Sequence, residues 1–97
     1  MPTYVGLFNF TEQGIKNVKQ SPDRLDAAKA AAAGLGGELS AFYLTMGVHD
    51  IVAITEFPDD EAAARFALAL GRGGNVRGNT MKAFTEAEYR KIVADLP

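Results

Sequence analysis

Three of the four strand-like segments in this chain carry large apolar side chains on both faces, and this feature constrains the fold more than any other. The first segment, Thr3–Phe10, has aromatic residues on one face and aliphatic residues on the other. Segments 39–46 and 49–57 show the same two-sided pattern. Each of these strands must therefore be covered on both sides, because a solvated face would alternate apolar with polar residues.

Helix signals separate the strands in a regular order. Ser21 and Pro22 predict a helix start with Ser21 as the capping residue, and the helix runs to Gly34. The acidic cluster that follows Pro58 predicts a second helix, 58–70. A less apolar segment, 76–84, contains a glycine and is predicted to be an edge strand.

These elements predict an α+β fold of ferredoxin-like type, with βαββαβ order and a four-stranded antiparallel sheet. Right-handed crossovers place both helices on one face of the sheet. Thr85 and Glu88 form a capping box that opens a further C-terminal helix, with an inward stripe predicted to contain Tyr89, Ile92, Val93 and Leu96. At 97 residues the chain is expected to be one domain, 1–97. Two helices cover only one face, so the other face is expected to pack against a second copy of the chain.

The charge balance excludes several partners. Ten Lys and Arg stand against twelve Asp and Glu, and both signs are scattered along the chain. This balance argues against nucleic acid or an anionic membrane as a partner, because both require a basic face. There is no cysteine, and the first ten residues have no signal-peptide or membrane-span pattern. We therefore expect a cytoplasmic protein.

His49 and Asp50 form the most reactive-looking pair in the sequence, because imidazole titrates near neutrality and a carboxylate can orient it. Adjacent strand residues point to opposite faces, however, so a structural role in the hairpin is favoured over a direct dyad. One histidine with scattered carboxylates predicts no metal site, and no cofactor fingerprint is present. Gly73 and Gly74 follow a helix instead of preceding one, which argues against a phosphate cradle. Arg77, early in its strand, is a candidate anion contact.

A small-molecule pocket between two packed sheets is a further hypothesis. The aromatic and methionine side chains that would line it are Tyr4, Phe8, Tyr43, Met46 and Met81. Ordinary core packing is the favoured alternative for residues of these types in strands.

Several motifs in the same order resemble the GYD family. They are segment 11–19 with Ser21-Pro22, the hairpin 47–56 with 58–61, and segment 74–77. The resemblance covers nearly the whole chain. It implies a dimeric α/β barrel, in which two sheets pack face to face, and it implies no particular reaction. The Gly-x-Tyr-Asp signature of the family stands here as Gly47-Val48-His49-Asp50, so a histidine replaces the tyrosine.

The leading functional hypothesis is a homo-oligomeric domain with a small-molecule-binding or accessory role. One alternative is a cofactor-independent oxygenase or isomerase acting on a small aromatic or lactone substrate, and another is a purely structural assembly unit. The candidate ligand-binding residues are Tyr4, Phe8, Tyr43, His49, Asp50 and Arg77.

Overall fold

The computed structural model describes residues 1–97 as a sheet with two long helices on one face and a third helix at the C-terminus. In chain order, the elements are β1 (Thr3–Phe10), α1 (Glu12–Lys16), a 3-10 turn (Val18–Gln20), α2 (Ser21–Gly34), β2 (Glu38–Leu44), β3 (Ile51–Glu56), α3 (Asp60–Arg72), β4 (Val76–Ala83) and α4 (Glu86–Ala94).

The four strands form one antiparallel sheet in the order β2-β3-β1-β4. The predicted ferredoxin-like architecture is confirmed, with β1 and β3 at the centre. β4 lies at an edge, as its glycine and weaker apolar character predict. None of the helices is long and apolar enough to cross a membrane.

The two long helices begin in different ways. Asp59 caps α3, since its side chain accepts a hydrogen bond from the Ala62 amide at 2.9 Å. The predicted Ser21 cap is wrong: the 3-10 turn runs directly into α2, so Ser21 already has helical backbone angles. Gln20 holds the capping position and its side chain makes no capping hydrogen bond. The start of α2 therefore has no side-chain cap.

The hairpin between β2 and β3 is longer than predicted. β2 ends at Leu44 and β3 begins at Ile51, because residues 45–50 form a turn in which the Thr45 amide donates to the Asp50 carbonyl at 2.8 Å. An irregularity in the pairing between Leu39 and Ala41 also changes the face of Leu39. Leu39 packs on the helix side, whereas Ala41, two residues later, lies on the other face.

The core lies between the sheet and the helices α2 and α3. Its largest fully buried side chain is Phe57, whose ring centroid is 5.2 Å from that of Phe66 and 6.1 Å from that of Tyr4. Small side chains such as Ala32, Ala62 and Ala63 let the helices approach these rings. A second buried cluster, formed around Phe8, Ile51 and Ala53, occupies the other end of the same layer.

The helix α4 extends away from this core. The capping box is confirmed, with the Thr85 amide donating to the Glu88 carboxylate at 2.9 Å. The predicted inward stripe is wrong within one subunit, because no residue of α4 is buried and Tyr89 is 61% exposed. The chain measures 51 Å along its longest axis. The helix α4 follows the edge strand β4 and lies outside the layers formed by the sheet and the two long helices.

Candidate functional site

The two faces of the sheet have different surroundings. Strand alternation and the pairing registers direct Tyr4, Phe8, Ile51 and Ala53 towards the helices. The other face has no helix over it in a single subunit. We call this surface the open face. Its central residues are Val5, Leu7, Ala41, Tyr43, Val52, Ile54, Asn79 and Met81, and Glu38, Glu56 and Arg77 stand at its corners.

The open face has an apolar centre and charged corners. Ile54 lies between Val5 and Ala41 on the neighbouring strands and is half-buried by them. Glu38 stands opposite Glu56 at one corner. Arg77 lies on β4 at the diagonally opposite corner of the sheet. The surface is thus apolar in the middle, acidic at one corner and basic at the other.

His49 and Asp50 fasten the 45–50 turn to the end of β1. The Nδ1 atom of His49 lies 3.1 Å from the Oδ1 atom of Asn9, while the Asp50 carboxylate accepts a hydrogen bond from the Phe10 amide at 2.9 Å. Asn9 also donates to the Val48 carbonyl at 2.8 Å. His49 and Asp50 do not hydrogen-bond to each other, so the pair is arranged as a structural clamp and not as a dyad.

The sequence-predicted site residues are divided between the two faces. Tyr43 and Met81 lie on the open face, whereas Tyr4 and Phe8 point to the helices. The predicted pocket between two sheets therefore cannot include Tyr4 or Phe8, because their side chains lie on the opposite side of the sheet. Met46 is fully exposed at the tip of the turn.

The enzyme hypothesis requires a cavity between two sheets on which His49, Tyr43 or Arg77 converge. Tyr43 lies on β2 and Arg77 on β4, at opposite edges of the sheet. Three strand spacings separate these edges, or about 14 Å. His49 is engaged with Asn9 at the end of β1. The three side chains are not brought together within one subunit.

Tyr4 forms a buried link between β1 and the start of α3. Its hydroxyl donates to the Asp60 carboxylate at 2.5 Å, and Lys82 approaches the same carboxylate at 3.3 Å. Burial, together with the adjacent Asp60 charge, raises the pKa of Tyr4 to about 12. The hydrogen bonds from Tyr4 and Lys82 lower the pKa of Asp60. Tyr4 therefore acts as a neutral hydrogen-bond donor that holds α3 on the sheet.

An elongated cavity lies between the sheet and the helices, and sequence reasoning did not find it. It has a volume of about 90 Å³ and is mainly apolar. Phenylalanine supplies five of the side chains that surround it: Phe8, Phe10, Phe42, Phe57 and Phe66. We call this space the helix-side cavity. Four polar side chains also reach it: Ser21, Arg24, Thr55 and Thr80.

The floor of the helix-side cavity depends on two glycines. A Cβ atom placed on Gly6 would lie 2.4 Å from the Phe8 ring, and one placed on Gly78 would lie 2.3 Å from it. The ring of Phe8 therefore lies across both backbone positions, close to the sheet, instead of standing up into the layer. No spacing in the sequence points to this arrangement, because Gly78 comes close to Phe8 only through the pairing of β1 with β4. No group of three His, Asp or Glu side chains is placed to hold a metal ion.

Comparison with known proteins agrees with this architecture. A protein of Thermus thermophilus named glutamine synthetase and cystathionine beta-lyase binding protein is 28% identical over 89 residues, which cover 91% of this chain and 94% of the relative. Among solved structures, MtbAldR superposes with a TM-score of 0.69 at 13% identity over 88% of this chain. That match covers 52% of MtbAldR, so the chain spans about half the length of that protein.

A second solved structure, TTHA0845 from Thermus thermophilus, superposes with a TM-score of 0.55 at 24% identity, over 88% of this chain and 95% of that one. These two structural likenesses support the fold. The family model of the GYD domain matches residues 4–93. With nearly its whole length matched, the chain belongs to the GYD domain family.

Proposed function

We propose that this protein is a self-associating accessory domain that binds a small molecule, and that its open face is the surface on which two copies pack. The observation that carries the proposal is the apolar centre of the open face. Val5, Leu7, Val52 and Ile54 are only half-buried in one subunit, although they lie on the two central strands. Contiguous apolar patches of this kind mark interaction surfaces.

The dimensions of the open face suit a dimer interface. Four strands spaced about 4.8 Å apart and six to eight residues long give a footprint of roughly 20 by 25 Å. Two copies would cover about 1,000 Å² of projected area, which reaches the size expected of a specific interface. A single copy would therefore gain a complete second layer from a face-to-face partner.

The charges of the open face favour a second copy of the same chain as the occupant. Glu38 and Glu56 stand at one corner, and Arg77 stands at the diagonal corner. A two-fold axis that exchanges these corners brings each acidic corner against the basic corner of the other copy. Such complementarity supports an isologous pairing, in which the same patch is used by both copies.

The accessory role is supported by the relative from Thermus thermophilus, which is named for binding glutamine synthetase and cystathionine beta-lyase. The similarity extends over 94% of that relative, so it is not restricted to one motif. We extend to this chain the role of binding metabolic enzymes of these two kinds. The outer surfaces of a dimer, including the exposed stripe of α4, remain available for such partners.

Native mass spectrometry of the freshly purified protein tests the proposal, because it reports both the number of subunits and any retained small molecule. We expect a dimer or a multiple of it, and a compact monomer at 10 µM would overturn the self-association. Larger rings without a ligand would favour the structural-unit alternative. Biolayer interferometry against purified glutamine synthetase and cystathionine beta-lyase from the same organism tests the accessory role, with an unrelated enzyme as the control. Absence of binding to either enzyme would overturn that role.

A further inference from the structure

We propose that the helix-side cavity binds a small aromatic carboxylic acid with a hydrogen-bonding group at the far end of its ring. This inference rests on the ligand-binding half of the proposed function and names its site and ligand class. The cavity is lined by residues of one subunit, between the sheet and the helices, and it lies on the opposite side of the sheet from the surface proposed for self-association.

The size of the helix-side cavity is adequate for such a ligand. Its volume of about 90 Å³ is several times the roughly 10–15 Å³ that a single water needs on a comparable measure. It is also long, since its floor includes both Ile51 and Thr55, which are about 13 Å apart along β3. An empty space of this size loses dispersion contacts along its walls, so a fitting ligand would restore them.

Aromatic walls favour an aromatic body. Phe42 on β2 and Phe66 on α3 both line the cavity. The ring of Phe8 lies close to the sheet, over Gly6 and Gly78. Offset or edge-to-face contacts with these rings would stabilise a bound aryl group beyond the burial of its area. Gly6 and Gly78 keep the Phe8 ring low and so preserve the space above it.

A carboxylate is indicated at the end of the cavity where α2 begins. Arg24 donates to the carbonyl groups of Gly14 and Asn17 at 3.3 and 3.1 Å, and it forms no ion pair with any carboxylate of the chain. A guanidinium has five N–H donors, so three remain for a ligand. Ser21 lines the same end, where the N-terminus of α2 has no side-chain cap. The guanidinium, which has no carboxylate partner in the chain, favours an anion there.

A second polar contact is indicated at the opposite end. Thr55 is only 6% exposed, and it pairs with Tyr4 near the start of β1. Its hydroxyl takes part in none of the side-chain hydrogen bonds of the chain, and Thr55 is among the residues that line the cavity. The hydroxyl oxygen is not fully enclosed by the protein, because no fully enclosed side-chain polar atom of the chain lacks a partner. A hydroxyl without a partner in apolar surroundings is costly, so a ligand that hydrogen-bonds to it gains affinity. A phenol or a ring carbonyl would supply this contact.

The test uses three matched probes in calorimetric and NMR titrations of the full chain. They are 3-(4-hydroxyphenyl)propanoate, 3-phenylpropanoate without the hydroxyl, and 4-propylphenol without the carboxylate. We expect the first to bind best, with a loss of roughly tenfold to a hundredfold when the carboxylate is removed and about threefold to tenfold when the hydroxyl is removed. Amide shifts should map to the cavity walls and not to the open face.

Two variants assign each preference to its residue. In Arg24→Gln the advantage of the acid over 4-propylphenol should disappear, while Arg65→Gln, an exposed arginine on the outer side of α3, should keep it. In Thr55→Val the advantage of the hydroxylated acid over 3-phenylpropanoate should disappear. If Arg24→Gln does not fold, because it loses two contacts that hold α2, the affinities of the three probes for the wild-type protein still test the preference for an aromatic acid with a hydroxyl.

A third variant tests the location. Ala53→Leu fills the cavity from its floor and should abolish binding, whereas Ala64→Leu, on an exposed position of α3, should not. Absence of binding at 10 mM probe, equal affinity for the acid and 4-propylphenol, or unchanged binding in Ala53→Leu would each overturn the inference. The subunit mass measured in the same samples separates this failure from a failure of self-association.

Discussion

Replacing Ile54 by glutamate should convert the protein into a folded monomer. Ile54 lies at the centre of the open face, between Val5 on one neighbouring strand and Ala41 on the other. Its side chain is half-buried in one subunit and faces away from the helices, so the subunit core does not depend on it. The substitution therefore acts mainly on the surface proposed for pairing.

The magnitude follows from the burial of this position. Completing the burial of a half-buried isoleucine is worth about 1 kcal/mol per copy. An unpaired carboxylate in the same place adds a penalty of about 2 kcal/mol or more, because it must be desolvated or protonated. In a two-fold symmetric dimer both effects occur once in each copy, so the free energy of dimerisation should weaken by about 6 kcal/mol in total. The dimer dissociation constant should therefore rise roughly ten-thousandfold.

Light scattering coupled to gel filtration, at 10 µM, measures the outcome, and circular dichroism verifies the fold. Leu68→Glu is the matched control, since Leu68 is an apolar residue of α3 that is 74% exposed. We expect a wild-type dimer, a dimeric Leu68→Glu and a monomeric Ile54→Glu. An Ile54→Glu variant that keeps the wild-type mass, or a wild-type monomer, would refute the reasoning.

Two further predictions concern the stability of the subunit. Gly14→Ala should lower the free energy of unfolding in urea by about 1–3 kcal/mol, because the new Cβ would lie 2.0 Å from the Asn75 carbonyl oxygen. Gly71→Ala, in open space within α3, is the control and should raise the free energy of unfolding by roughly 0.5–1 kcal/mol. A Gly14→Ala variant with unchanged stability would contradict the packing argument. The pKa of Tyr4 is raised from 10.0 to about 12 in the folded state. Between pH 10 and pH 12 only the unfolded state loses the hydroxyl proton of Tyr4, so the free energy of unfolding should fall over this range. Urea titrations at both pH values should show a smaller fall in the free energy of unfolding for Tyr4→Phe, and an equal fall would exclude the titration of Tyr4 as the cause.

Local signals in the sequence were sufficient for most of the secondary structure. The Thr85 capping box depends on residues within one helical turn, so it could be read directly. The acidic cluster after Pro58 indicated a helix start, and the structure identifies Asp59 as its capping residue. The start of α2 was misplaced by one residue because a 3-10 turn precedes it, and no residue type marks such a continuation. The irregular pairing near Leu39 was missed for a similar reason, since it depends on the partner strand.

The candidate sites depended on relations that a linear sequence does not contain. Strand alternation predicts that Tyr4 and Val5 face opposite sides, but it does not say which side receives the helices. The helix-side cavity arises because Phe8 lies over Gly6 and Gly78, and Gly78 lies on a strand that is 70 positions further along the chain. The hydrogen bond between His49 and Asn9 likewise joins two distant segments.

The sequence by itself determined the order of the elements, the four-stranded antiparallel sheet and the presence of two apolar faces, because short-range periodicity and capping chemistry encode them. Only the tertiary structure decided that the helices cover the face with Tyr4 and Phe8, that the other face stays open, and that α4 leaves the body. Those outcomes follow from packing between segments far apart in the chain, where the volume and position of each side chain select one arrangement.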